Sequence, residues 1–122
     1  MTGTLGIKRV YDAPAAGDGR RILVDRLWPR GLTKEAARLD DWPKALAPSD
    51  DLRRWYHAHP DGWATFLARY REELSAPEAS AALAALKARA RRETVTLLFA
   101  SKNLSGNNAD ALALILKGRG EA

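Results

Sequence analysis

Cysteine is absent from this 122-residue chain, which removes disulfides, thiolate nucleophiles and cysteine-based zinc sites together. Histidine is scarce: His57 and His59 stand one residue apart with no evident third ligand, so no metal is expected. No apolar stretch approaches the length of a bilayer span, and no signal-peptide pattern opens the chain. The expectation is therefore a cytoplasmic protein without membrane association. Walker and dinucleotide glycine patterns, zinc fingers and RNA-recognition signatures are also missing, so no cofactor is expected. What is present fits a soluble globular chain, with 46% hydrophobic and 29% charged residues. That length suits one domain over residues 1–122, with enough chain to bury a real core.

The formal charge is +5, from 20 Lys and Arg against 15 Asp and Glu, which favours anionic partners. The densest basic run, Lys87–Arg92, lies at the end of a helical pattern, where cations suit the helix dipole. It reads as a solvated helix end, with a nucleic-acid patch as its alternative.

Alternating and branched residues over Thr4–Tyr11 predict a first strand, and Arg21–Leu27 a second. The link between them, Ala13–Gly19, is too short for an ordinary parallel crossover, so an antiparallel or irregular pairing is expected. Thr33 is placed to cap a short helix through Arg38, and Ser49 another beginning near Asp50. Beyond Asp61, Trp63, Phe66, Leu67, Tyr70 and Leu74 recur at helical spacing. Ser75-Ala76-Pro77-Glu78 reads as a capping box with proline just inside the next helix, which carries Leu83 and Leu86. Thr94–Ala100 is nearly all apolar, as in a strand covered on both faces. Asn107 or Asn108 then starts a last helix through about Lys117. The implied fold is α/β (or α+β), with a small, mostly parallel or mixed three-stranded sheet flanked by about five helices.

Ligands of open α/β sheets gather beyond the carboxyl ends of the strands, which makes Asp25–Gly31 and Ser101–Asn108 two halves of one candidate cleft. Arg26 and Arg30 present forked guanidinium groups suited to phosphate or carboxylate. Asp25 is either a proton acceptor or the internal partner of an arginine that fixes the loop. Gly31 allows backbone N–H groups to approach an anion, and Trp28 is either a stacking surface or a half-buried anchor. Trp42, Trp55 and Trp63 read as core residues. His59 offers general acid–base chemistry, whereas His57 and His59 together also read as a helix C-terminus stopped by Pro60. Lys102 can pair with an anion, and Asn107 and Asn108 supply amides for a hydroxyl or base edge, or an ordinary helix cap. Ser101 and Ser105 lack a nucleophile elbow and an assigned base.

These residues carry a resemblance. Asp25-Arg26-Leu27-Trp28-Pro29-Arg30-Gly31, then His59-Pro60, Trp63, Phe66, Arg69-Tyr70, Thr96-Leu97-Leu98 and Asn107-Asn108-Ala109 resemble the YeaO-like branch of domain-of-unknown-function family 488. The similarity runs from about Ile7 to Leu116. It implies a small cytoplasmic α/β protein and brings no activity with it. The family pattern has an acid after the lysine and a histidine before the paired asparagines, where this chain has Asn103 and Gly106. The resemblance thus favours ligand binding over catalysis. The first functional expectation is a domain, enzyme-like or enzymatic, that takes a small anionic metabolite such as a nucleotide or sugar phosphate. Arg26, Arg30 and Lys102 would hold it, with Asp25 or His59 moving protons. The alternative is a non-catalytic module contacting protein or nucleic acid. Either reading allows a monomer or a homodimer.

Overall fold

The third strand organises the molecule. β3 (Val95–Phe99) is buried at every position, and both other strands pair with it. The computed structural model describes residues 3–103 and 106–117. β1 (Leu5–Arg9) and β2 (Arg20–Leu23) flank β3, and each runs parallel to it. Leu5 and Arg20 both register with Val95, so the strands start together and their carboxyl ends reach one edge.

The expected antiparallel or irregular pairing of the first two strands is overturned: they are not neighbours. Residues 10–19 do not reverse the chain but carry it back along the sheet, leaving a slot that β3 fills. Polar groups hold that return. A short 3-10 turn, Ala16–Asp18, places the Asp18 carboxylate where Lys8, Arg21 and the Ala15 N–H all donate to it. Thr96 Oγ1 donates to the Asp18 carbonyl at 2.7 Å, which fastens the return to β3. Gly19 follows with φ 63°, and a Cβ there would lie 2.2 Å from the Thr94 carbonyl oxygen, so only glycine fits.

β2 is shorter than the Arg21–Leu27 reading. Val24 still donates to Leu98 O at 3.0 Å, but Asp25 then turns its side chain to the Ala100 N–H. A carboxylate takes over where the backbone ladder stops. Side chains alternate across the strand: Ile22 and Val24 enter the main core, whereas Leu23 joins a smaller one with Val10, Ala37 and Leu98. Both faces are therefore covered, which accounts for the unbroken apolar pattern of β3.

Among the described residues, five α-helices cover the sheet. α1 (Lys34–Ala37) is capped by Thr33 and α2 (Asp50–Ala58) by Ser49, both as expected from the sequence. α3 (Trp63–Glu73) buries Phe66 and Tyr70, and the Tyr70 hydroxyl donates to the buried Leu46 carbonyl. α4 (Pro77–Arg92) has proline in its first turn but no capping box. Ala76 is the N-cap, and Ser75 Oγ instead donates back to Glu72 O at 2.6 Å. The preceding helix end has claimed that hydroxyl. α5 (Asn108–Leu116) is capped by Asn107 and packs against β1, β3 and α3. No helix among the described residues is long and apolar enough to cross a membrane.

Candidate functional site at the carboxyl edge of the sheet

The parallel strands deliver Arg9, Val24 and Ala100 to one edge, and the polar residues that follow them gather there. Asp25 is the hub. Its Oδ2 accepts the Ala100 N–H at 2.8 Å, and its Oδ1 accepts Asn108 Nδ2 at 3.0 Å. The same Asn108 amide donates to the Val24 carbonyl at 2.8 Å. One carboxylate and one amide thus tie the end of β2, the end of β3 and the start of α5 into a unit. Burial pushes the Asp25 pKa up, and the bonds from Asn108 and Ala100 with the nearby Arg53 charge only partly offset it.

Asn107 is differently employed. It is buried, its Oδ1 accepts the Asp110 N–H at 2.9 Å, and its Nδ2 donates to Asn103 O at 2.9 Å. Both ends of that amide serve the loop and the helix start. Asp110 in turn accepts the Gly106 N–H at 2.8 Å. The Tyr56 hydroxyl stands so near that a Cβ on Gly106 would lie 3.1 Å from it. Burial raises the Tyr56 pKa, and the Asp110 charge adds to the effect. Ser105 lies outside the described residues; Ser101 uses its hydroxyl to accept the Asn103 N–H.

The loop after β2 closes on itself. Trp28 Nε1–H donates to Leu32 O at 2.6 Å, and its ring meets Trp42 edge-on at 5.5 Å over the smaller core. Gly31 at φ 75° makes the turn between them. Trp28 and Gly31 therefore shape the loop; Pro29 between them is buried, whereas Arg26, Leu27 and Arg30 are exposed. Leu27 is 60% exposed. Arg26 Nε lies 3.8 Å from Asp50, which also takes a 3.1 Å bond from Arg53. That bond from Arg53 is the main reason the Asp50 carboxyl sits below the usual carboxylate range.

Arg30 is exposed, and no hydrogen bond or ion pair among the described residues engages its guanidinium. Its backbone, by contrast, is held: Tyr11 donates its hydroxyl to Arg30 O at 2.8 Å. Lys102 is likewise exposed, with no such partner among the described residues. His59 caps the C-terminus of α2, with its Nδ1 hydrogen-bonded to Trp55 O at 2.8 Å and its ring stacked on Trp55 at 4.6 Å. None of those contacts reaches Asp25 or the loop arginines. His57 is exposed on the same helix.

Two residues of this edge escape a reading of the sequence. Arg9 donates to Ser101 O at 2.9 Å and to Ala100 O at 3.1 Å, and its guanidinium lies 5.0 Å from the centre of the Tyr11 ring. Tyr11 then grips Arg30. The signal that could have found them is strand direction: an antiparallel first strand sends Arg9 to the far edge, a parallel one brings it here. Beside Tyr11 lies an open depression of about 490 Å3, lined by Tyr11, Asp12, Leu32, Glu35 and Arg38 among others. Neither Asp25 nor Asn108 lines it. Among the described residues no group of three or more His, Asp or Glu is placed to hold a metal ion.

The chain has relatives. A family model described as the inactive DUF488-N3 subclade matches residues 4–122. The uncharacterised protein Rv3073c of Mycobacterium tuberculosis is 42% identical over 113 residues, which cover 93% of each chain. The uncharacterised protein YeaO of Escherichia coli is 43% identical over 106 residues, covering 87% of this chain and 90% of its own. No solved structure matches significantly. The match along almost the whole length shows that the chain belongs to the DUF488 family, as a YeaO-like member.

Proposed function

We propose that this chain binds a small anionic metabolite at the carboxyl edge of its sheet and does not itself transform it. The observation that carries the reading is Arg30. An arginine whose backbone is anchored by Tyr11 and by the Gly31 turn, while its guanidinium has no partner among the described residues, is prepared for a guest. Arg26, only loosely drawn to Asp50, and Lys102 add positive charge to the loops that follow β2 and β3. A phosphate is a ligand group that forked guanidinium donors match bidentately.

Binding is favoured over catalysis for three reasons. Both oxygens of Asp25 already accept hydrogen bonds that hold the edge together. His59 is engaged with Trp55 instead of the loop. The matching family model is described as an inactive subclade, and Asn103 and Gly106 occupy the places where the family resemblance puts an acid and a histidine. A small ligand is favoured over a polyanion because the basic end of α4 is partly neutralised: Glu93 takes Arg20 at 2.9 Å and approaches Arg89 at 3.7 Å.

A thermal-shift screen of nucleotides and sugar phosphates against wild type and Arg30→Ala tests the proposal. The expected result is a stabilising compound whose affinity falls about tenfold in Arg30→Ala, the scale of one lost charge-assisted contact, without turnover in either protein. A screen in which nothing stabilises the wild type, or in which Arg30→Ala responds equally, ends it.

A further inference from the structure

We infer that the depression beside Arg30 seats a planar heteroaromatic ring, so that the bound metabolite is a nucleotide with its phosphate on Arg30. The inference rests on the anion-binding reading above and adds the half of the ligand that carries no charge. Tyr11 is 41% exposed, although it is one of the largest side chains at this edge. Arg9 covers one face of its ring and is not among the residues lining the depression. The ring surface that Arg9 leaves uncovered is available for stacking, which any base can use because every base has a π face.

The remaining walls sort the ligand by charge. Leu32, Ala36 and Pro14 supply apolar surface, while Asp12 and Glu35 supply carboxylates. Ionised carboxylates only accept hydrogen bonds, so they select amino groups, ring N–H groups or ribose hydroxyls. They repel phosphate. Arg38 is the cation within the lining itself; Arg30, whose backbone carbonyl accepts the Tyr11 hydroxyl, is assigned the phosphate. A depression of about 490 Å3 is within the range of small-ligand sites. A sugar phosphate without a base would leave the tyrosine face bare.

Calorimetric titration with adenosine 5′-monophosphate, adenosine and ribose 5-phosphate tests this, using wild type, Arg30→Ala, Tyr11→Leu and Tyr11→Phe. Tyr11→Phe keeps the ring and loses the tether to Arg30 O. The expected result is that the nucleotide binds at least tenfold tighter than ribose 5-phosphate, loses that advantage in Tyr11→Leu and keeps it in Tyr11→Phe. Equal binding of nucleotide and ribose 5-phosphate, sensitive to Arg30→Ala but not to Tyr11→Leu, overturns the ring site and leaves the anion site standing. Adenosine binding as tightly as its monophosphate, with no effect of Arg30→Ala, overturns the anion reading and with it the nucleotide. Equal losses in Tyr11→Leu and Tyr11→Phe show that the tether matters and not the ring, which also overturns the inference. Absence of binding by all three probes overturns both.

Discussion

Asp25 shows how one side chain can stand in for a stretch of backbone. Its carboxylate occupies the Ala100 N–H that a longer β2 would have taken, and it holds Asn108 as well. Asp25→Asn keeps an acceptor for one of these donors but brings an N–H group against the other. The expected loss is about 1–3 kcal/mol, the cost of a buried polar group left without a partner. Denaturant unfolding measures it; a variant as stable as wild type would show that the carboxylate is not the pin. The pH dependence has a definite sign. A carboxyl whose folded pKa is raised favours the fold below its ordinary value of 3.8, and that contribution is lost as the pH rises through the raised value. The stability gap between wild type and Asp25→Asn should therefore widen as the pH falls from about 7 towards about 4. Asp25 was legible in the sequence because it stands directly behind an apolar run, and Asn108 because it belongs to an amide pair at the start of the helix that follows the last strand. Their mutual bond was not, since it depends on which strand lies beside which. Arg9 and Tyr11 were hidden for the same reason.

At the scale of the element, local chemistry was legible and pairing was not. Thr33, Ser49 and Asn107 cap the helices that their sequence positions suggest. Asn107→Ala removes both the α5 cap and the clamp on Asn103, and should cost about 1–2 kcal/mol in a urea titration. Ser75 looked equally well placed, but its hydroxyl belongs to the preceding helix end. Ser75→Ala is thus expected to stay within about 0.5 kcal/mol of wild type, as an ordinary surface substitution does. A loss near the Asn107→Ala value would restore the capping box. The strand link misled for a different reason. Loop length constrains a crossover only when the strands it joins are paired, and here the return of residues 10–19 leaves room for a strand arriving much later in the chain.

Across the whole molecule, two carboxylates near opposite ends of the sheet respond to acid in opposite senses. Burial disfavours the charge on Asp18, but bonds from Ala15, Lys8 and Arg21 outweigh it and hold the pKa below the usual value. Its contribution is present above 3.8 and is lost as the pH falls through the lowered folded value. Asp18→Asn leaves the buried Arg21 guanidinium without its counter-charge and should cost on the order of 3 kcal/mol. It should also flatten the acid limb of the stability profile, which Asp25→Asn should not do. An unchanged acid limb would place the sensitivity elsewhere. The central position of β3 has its own consequence during synthesis. Both flanking strands emerge from the ribosome long before the partner that completes them, so about three-quarters of the chain must wait with open strand edges. Helices can form in that interval, but the sheet closes in a single late event, and nascent chains stalled ahead of Val95 should be protease-sensitive throughout β1 and β2.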